Sequence, residues 1–284
     1  MEKTRTEMRD IIVCPYCHSA LALLASSFDC TKCKKTFPIQ NGIPNFLDFD
    51  LENTTDSQFQ ADQMFQRTLT ARIHNIGKTI INSEYRPVDH VADFVKDIGP
   101  GHIIVELGSG NRHLRDDVIN VDLFPFPNVD LLANVAKTPF REDAVDFIIL
   151  DTVLEHVTDP HAVVSEVNRV LKPGGQVICV VPWVFPYHGY PKNYFNISKD
   201  GLDYLFKDFS ECRIEMDMGP TSALTNLLSE YIAVALSGRR KITYSFFKGL
   251  VLLPIFLLKF LDKFWSGSAK ATRIAATLCA LAKK

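Results

Sequence analysis

Short apolar runs alternate with amphipathic segments over residues 102–218 of the 284-residue chain. The two kinds of segment predict strands and helices that follow one another in turn. In the segment 159–171 the valines recur at helical spacing. Lys172-Pro-Gly-Gly is expected to end this helix, because proline cannot continue a helix. The predicted strands are 102–107, 118–121, 129–132, 144–150, 176–181 and 212–218, and the predicted helices are 159–171 and 198–209. This alternation is typical of an α/β protein with a parallel sheet.

The pattern divides the chain into four parts. Residues 1–48 contain all the closely paired cysteines, and residues 49–100 are polar, with helices predicted at 62–81 and 87–98 as a linker and lid. Residues 101–220 form the predicted α/β core. Residues 221–284 are apolar and then basic, and their end, 274–284, is predicted to return a last antiparallel strand to the sheet.

The formal net charge of −2 conceals an uneven distribution of charge. Residues 238–284 contain ten Lys/Arg and one acid, Asp262, so this region predicts contact with an anionic membrane surface or nucleic acid. The first residues mix charges and show no apolar signal segment. We therefore expect a cytoplasmic protein, with attachment to the inner face of the membrane as the alternative.

Four cysteines form two C-x2-C pairs separated by twelve residues. They are Cys14, Cys17, Cys30 and Cys33. In a reducing compartment this spacing predicts a closed tetrahedral Zn²⁺ site with a structural role. The segment resembles the small zinc-ribbon proteins that act as methyltransferase activators. Cys179, Cys212 and Cys279 are scattered and are expected to be core or bystander residues.

Polar and glycine residues follow the predicted strands at the edge where open parallel sheets bind ligands. Glu106-Leu-Gly108-Ser-Gly110 follows the first strand, and Asp122 follows the second. Glycines let a backbone approach a ligand closely, and a carboxylate can accept hydrogen bonds from ribose hydroxyls.

The ordered series VELGSGN, INVD, TPFREDAVDFIIL, VLEHVTDP, EVNRVLKPGG and VPWVFPYHGYPKNYF resembles class I S-adenosylmethionine (SAM)-dependent methyltransferases of the type-11 branch. The resemblance covers about residues 102–209. It implies a doubly wound, Rossmann-like sheet with SAM as cofactor. The residues that it assigns to the cofactor are Glu106, Gly108, Ser109, Gly110, Asp122, Leu123, Asn134, Val135 and Asp151.

The sequence departs from the family pattern in three places. Arg112 stands where a third glycine is usual, and the short spacing after it predicts a first helix of about one turn. A short helix weakens the dipole that binds a carboxylate, and we expect Arg112 to compensate with a direct ion pair. Asn134 stands where an acid is commoner, which keeps an acceptor oxygen.

Two histidines are the candidate catalytic bases, because histidine titrates near neutrality. His156 follows the fourth strand, where a structural role is the alternative, and His188 lies in an aromatic loop suited to covering a substrate. No Asn/Asp-Pro-Pro-Tyr motif follows that strand, which argues against methylation of exocyclic amino groups of bases. We expect a small-molecule, lipid-linked or glycan-type acceptor.

Residues 249–258 are ten apolar residues without a charge, too few to span a bilayer, and basic and aromatic residues flank them. Residues 238–268 therefore predict a helix that lies on a membrane surface, or a cap on the fold or a dimer contact. An RNA methyltransferase is the alternative enzyme, supported by the zinc ribbon and the basic tail. A non-catalytic scaffold with a SAM-type fold is the alternative outside enzymes.

Overall fold

The computed structural model describes residues 8–47, 84–189, 192–238 and 241–284. The helix predicted at 62–81 lies outside these residues. The strands are β1 Leu21–Leu23, β2 Ser27–Cys30, β3 Thr36–Gln40, β4 Ile43–Pro44, β5 Ile104–Leu107, β6 Val118–Asp122, β7 Leu131–Leu132, β8 Val145–Asp151, β9 Leu171–Pro182, β10 Glu211–Met216 and β11 Thr277–Lys283. The α-helices are α1 His90–Lys96, α2 Pro160–Val170, α3 Lys199–Leu205, α4 Pro220–Ser237 and α5 Lys241–Ile255.

Seven strands form the central sheet in the order β10-β11-β9-β8-β5-β6-β7. All neighbours pair in parallel except β11, which is antiparallel to both β9 and β10. The chain leaves β5 towards β6 and β7 and then crosses back to β8, which adjoins β5 on its other side. The order of the strands therefore reverses between β5 and β8, which is where open α/β sheets bind ligands. The predicted Rossmann-like α/β fold is confirmed.

The sheet is covered on both faces by apolar side chains. On one face, Val91 and Val95 of α1 pack with Ile104, Ile149 and Val180 of the strands. On the other, the valines of α2 join a larger core that also contains residues of the cysteine module. Strands β5 and β6 consist of buried residues throughout, as expected for strands that have no solvent face.

The cysteine module is a four-stranded antiparallel sheet that packs on the edge of the central sheet. A β-bridge joins Asn45 to Leu132 of β7, and the Phe46 amide donates to the Leu132 carbonyl at 2.8 Å. The Phe46 ring lies 4.9 Å from the ring of Phe37, in the shared core. The module thus covers an edge strand that would otherwise expose unpaired backbone groups.

The apolar C-terminal region forms an insertion between β10 and β11. Helices α4 and α5 contact each other, and the chain continues through 3-10 turns at Phe256–Trp265 and Ala271–Arg273 before it enters β11. Asp262 ties this insertion to the start of α4. Its carboxylate is fully buried and accepts hydrogen bonds from the amides of Thr221 at 2.7 Å and Ser222 at 2.9 Å.

Three expectations about individual elements need correction. The helix expected at 198–209 ends at Leu205, although Ser198 is its N-cap and accepts from the Gly201 amide at 3.2 Å. Lys172-Pro-Gly-Gly does not separate α2 from the next strand, because β9 begins at Leu171 and absorbs the sequence as an irregularity in its pairing with β8. Residues 108–117 contain no helix, so the expected short first helix is not formed.

We expect Asp262→Ala to destabilise the fold by about 1–2 kcal/mol, because two amides at the start of α4 lose their acceptor. Urea unfolding would measure this change. Asp208→Ala, which removes an exposed carboxylate, serves as the control and should change the free energy of unfolding by less than about 0.5 kcal/mol. Equal effects of the two substitutions would contradict the capping role of Asp262.

Candidate active site

The glycine loop begins where β5 ends and turns sharply at two positive φ angles. Gly108 has φ +74° and Gly110 has φ +56°. A Cβ atom on Gly108 would lie 2.6 Å from the Cγ2 atom of Val153, so no side chain fits there. The loop is held against β6, because the amides of Gly108 and Ser109 both donate to the Val121 carbonyl, at 2.8 and 3.1 Å.

Asp122 ends β6 and joins the glycine loop to the segment after its own strand. Its carboxylate accepts from the Gly110 amide at 2.8 Å and from the Phe124 amide at 2.9 Å. Burial raises the pKa of Asp122, although these amides oppose the shift by stabilising the charged form. Each oxygen keeps a further lone pair, so the carboxylate can still accept from a ligand.

The residues expected near an adenine follow β6 and β7. The Ala133 amide donates to the Asp122 carbonyl at 3.1 Å, which brings the segment containing Asn134 close to Asp122. Asn134 is exposed, and its side-chain oxygen already accepts from the Ala136 amide at 2.9 Å. Val135 is buried and Leu123 is half-buried. The structure therefore brings Asp122, Asn134 and the glycine loop to one edge of the sheet.

Arg112 bridges two carboxylates at the ends of β5 and β8. Its guanidinium donates to Glu106, with the Nε atom at 2.9 Å, and also to Asp151. Burial raises the pKa of Glu106, and Arg112 only partly offsets this effect. Arg112 thus pairs with two acidic side chains of the protein, and the ion pair expected between it and a ligand carboxylate stays a prediction.

Arg86 is a site residue that the sequence did not identify. It donates to both oxygens of Asp151, at 3.1 and 3.0 Å, and its Nε atom lies 3.1 Å from Asp217, which follows β10. Asp217 also accepts from the Thr277 hydroxyl at 2.7 Å. Burial alone would raise the pKa of Asp151, but the charges and hydrogen bonds of Arg86 and Arg112 outweigh it and lower the pKa.

Two buried polar atoms beside the glycine loop have no partner among the described residues. They are Oε2 of Glu106 and the hydroxyl of Ser109, and both side chains are nearly inaccessible. Unsatisfied buried oxygens are costly, and they mark a place for a ligand with donor groups. An amino acid moiety such as the methionine part of SAM offers an ammonium group that can donate to them.

The two candidate bases meet at a third residue, Glu155. The Nε2 atom of His188 lies 3.7 Å from the Glu155 carboxylate and that of His156 lies 4.0 Å from it. The Glu155 carboxylate raises the pKa of His188, while burial opposes the shift. These residues follow β8 and β9, neighbouring parallel strands, so the cluster lies at the same edge of the sheet as the glycine loop.

The four module cysteines converge on one point. Sulfur atoms of Cys14 and Cys33 are 3.6 Å apart, those of Cys17 and Cys30 are 3.4 Å apart, and all four thiols are free. A tetrahedral Zn²⁺ with Zn–S bonds of about 2.3 Å places its sulfurs about 3.8 Å apart. The four sulfurs can therefore hold a metal ion with little adjustment.

Residues 107–179 match the methyltransferase domain family. The demethylmenaquinone methyltransferase of Bacillus velezensis is 32% identical over 87 residues, which are 30% of this chain and 37% of that protein. An uncharacterised methyltransferase of Mycobacterium avium is 30% identical over 115 residues, 40% of this chain and 44% of that protein. The chain thus spans less than half the length of these curated relatives.

Among solved structures, phosphoethanolamine N-methyltransferase 2 of Haemonchus contortus in complex with SAM is similar with a TM-score of 0.49 and 15% identity. The likeness covers 88% of this chain and 62% of that one. Over residues 107–179, the family match confirms the predicted resemblance to class I SAM-dependent methyltransferases.

We expect Asp151→Asn to destabilise the protein in a pH-dependent way. The two arginines lower the pKa of Asp151 in the folded state, so the ionised carboxylate stabilises the fold above its unfolded pKa of about 4. That contribution is lost as the pH falls through the lower folded pKa. A quarter to a third of each arginine side chain is exposed, so we expect a cost of about 1–3 kcal/mol at pH 7.

Urea unfolding at pH 7, 5 and 3 would test this dependence, with exposed Glu142→Gln as the control. The difference between wild type and Asp151→Asn should be the same at pH 7 and 5 and smaller at pH 3. A difference that does not change with pH would show that the carboxylate charge is not what Arg86 and Arg112 stabilise.

Proposed function

We propose that this protein is a SAM-dependent methyltransferase that modifies a small lipid-linked or glycan-type acceptor at a membrane surface. The observation that supports SAM dependence is the convergence of Glu106, the glycine loop and Asp122 at the switch point of the sheet. The family match over residues 107–179 supports it.

The residues at this edge fit the groups of SAM. Glu106 and Ser109 supply the unpartnered oxygens for the methionine ammonium. Asp122 would accept from the ribose, with Leu123, Asn134 and Val135 beside the adenine. Asp151 would supply negative charge near the sulfonium. When bound, SAM supplies an electrophilic methyl group, whose carbon bonds to the acceptor as its bond to sulfur breaks.

The acceptor must be oriented for in-line attack and must lose a proton. His156, His188 and Glu155 are the groups available for that task beyond the ends of β8 and β9. The curated relative from Bacillus velezensis is named for demethylmenaquinone, which supports an acceptor of the small-molecule class.

Helix α4 supports a membrane location, because its small and polar residues are buried while its large apolar residues are exposed. Its buried positions are small or polar, namely Ser222, Ala223, Thr225, Asn226, Ser229, Ala233 and Ser237. Its large apolar side chains face outward, with Leu224 64%, Tyr231 73% and Val234 66% exposed. Soluble proteins rarely expose apolar faces of this kind, whereas helices in lipid pack through small residues.

Helix α5 extends the same exposed surface. Leu250 and Leu253 of α5 are 55% and 57% exposed, and Phe264 of the following 3-10 segment is 82% exposed. Glu230 of α4 accepts from Tyr244 and Lys248 of α5. The stretch Thr243–Trp265 is, by length and composition, apolar enough to cross a bilayer, with 6% of its window buried. It is therefore longer than the ten-residue run counted from the sequence. Pro254 and the 3-10 turns interrupt it, which suits insertion into the interface.

The excess of Lys and Arg that the sequence shows in residues 238–284 favours the anionic inner face of a membrane, so we propose a location at the cytoplasmic side. The cysteine module would hold Zn²⁺ in a closed shell, and its role would be to stabilise the edge of the sheet that it covers. A membrane location brings a lipid-linked acceptor to the enzyme, and the exposed aliphatic surface fits phosphate contacts and base stacking poorly.

We expect Asp122→Asn to weaken SAM binding about 10- to 100-fold, because a charged acceptor is lost and only one of the two protein amides, which bind separate oxygens, keeps its acceptor. Isothermal titration calorimetry with SAM would measure the change. Asp116→Asn, which alters a largely exposed carboxylate, should bind as wild type does. If wild-type protein gave no heat with SAM, the fold would serve as a scaffold without a cofactor.

We expect Val234→Glu with Leu253→Glu to abolish flotation of the full-length protein with anionic liposomes, because both charges would enter the apolar layer. The matched control is Leu24→Glu, which places the same charge on an exposed leucine of the cysteine module. The wild type and the control should float at high salt as well as at low salt. Undiminished flotation of the double variant would rule out this surface as the anchor.

A further inference from the structure

We propose that Glu155, His156 and His188 form a second metal site, which binds one divalent transition-metal ion at the carboxyl edge of the sheet. The ligand atoms of these three residues lie within 4.8 Å of one another. The site is separate from the four cysteines. Metal binding there does not depend on the proposed methyl transfer, whereas the role given below to the bound ion rests on it.

The surroundings of Glu155 are the first evidence that a cation binds here. Its side chain is fully buried, and neither carboxylate oxygen has a hydrogen-bond partner among the described residues. A buried carboxylate without partners is among the most costly groups in a protein interior. A cation between the carboxylate and the two imidazoles would satisfy it.

The two imidazoles are oriented as metal ligands are. His156 Nδ1 lies 2.7 Å from the Lys192 carbonyl, and His188 Nδ1 lies 3.1 Å from the Pro186 carbonyl. A carbonyl oxygen only accepts, so each Nδ1 must carry a proton and donate it. In the neutral imidazole this leaves the lone pair on Nε2, and both Nε2 atoms face Glu155. Backbone carbonyls fix the tautomer of metal-binding histidines in the same way.

The spacing also matches an ion better than direct hydrogen bonds. The Nε2 atoms lie 3.7 and 4.0 Å from the same Glu155 oxygen, beyond hydrogen-bond length. Ligands bonded at about 2.0–2.1 Å to a tetrahedral ion lie about 3.3 Å apart. A shift of roughly half an ångström in two side chains would therefore complete the coordination.

The donor set indicates both the metal and its role. Two imidazoles and one carboxylate suit Zn²⁺, Mn²⁺ or Fe²⁺, whereas Mg²⁺ and Ca²⁺ prefer oxygen ligands. Three protein ligands leave positions open, unlike the closed shell of four thiolates. The open positions would bind an oxygen of the acceptor and make its hydroxyl easier to deprotonate. His156 and His188 would then hold the ion instead of taking the proton themselves.

Electron paramagnetic resonance with Mn²⁺ would test the site in full-length protein whose cysteine module is loaded with Zn²⁺. Mn²⁺ is the weakest competitor for thiolates among these metals, so it should leave that zinc in place. We expect one Mn²⁺ bound per chain, in the absence of SAM and acceptor. Glu155→Gln and His188→Ala should each weaken Mn²⁺ binding at least tenfold, and exposed His161→Ala should not.

Thermal unfolding keeps the test independent of any folding defect. Glu155→Gln removes a buried unpaired charge, so without metal it should be at least as stable as wild type, and the rise in Tm that Mn²⁺ gives the wild type should disappear. Wild-type protein that binds no Mn²⁺ would overturn the proposal. Equal Mn²⁺ affinity in wild type and Glu155→Gln would also overturn it. Neither result would depend on whether the protein binds SAM.

Discussion

The site depends on a buried ion network that joins three strands of the sheet at one edge. Glu106, Asp151 and Asp217 end or follow β5, β8 and β10, and Arg112 and Arg86 connect them in sequence. Carboxylates at this density would repel one another and take up protons without the arginines. The network therefore orders the carboxyl edge of the sheet, and its two arginines lower the pKa of Asp151 at the centre of that edge.

The cysteine module and the C-terminal insertion change the exposed surface of the protein in different ways. The cysteine module covers the edge of β7, where the Phe46 amide donates to the Leu132 carbonyl. The C-terminal insertion has the opposite effect, because it turns small residues inward and presents large apolar ones to the outside. The cysteine module covers a sheet edge, and the C-terminal insertion leaves large apolar side chains exposed.

The sequence predicts the sheet well because buried strands and glycine turns leave local signals. The strands β5, β6 and β8, the start of helix α3 at Ser198, and the paired cysteines all follow from nearby residues. Arg86 leaves no such signal, since it reaches Asp151 across 65 positions of a polar stretch.

Glu155 is part of the VLEHVTDP motif, but the sequence could not show that its carboxylate is buried without a hydrogen-bond partner among the described residues. Nor could it show that His156 and His188 converge on it, because that depends on how the loops after β8 and β9 pack. At Lys172-Pro-Gly-Gly the local residues predict a turn, but strand β9 includes them because pairing with β8 within the sheet outweighs their turn preference.

Transfer of label from methyl-labelled SAM tests the central claim most directly. The protein would be incubated with separated lipid, glycan, protein and RNA fractions from host cells. Our account predicts label in the lipid or glycan fraction and none in RNA. Label confined to RNA, or no transfer to any fraction by protein that binds SAM, would contradict it.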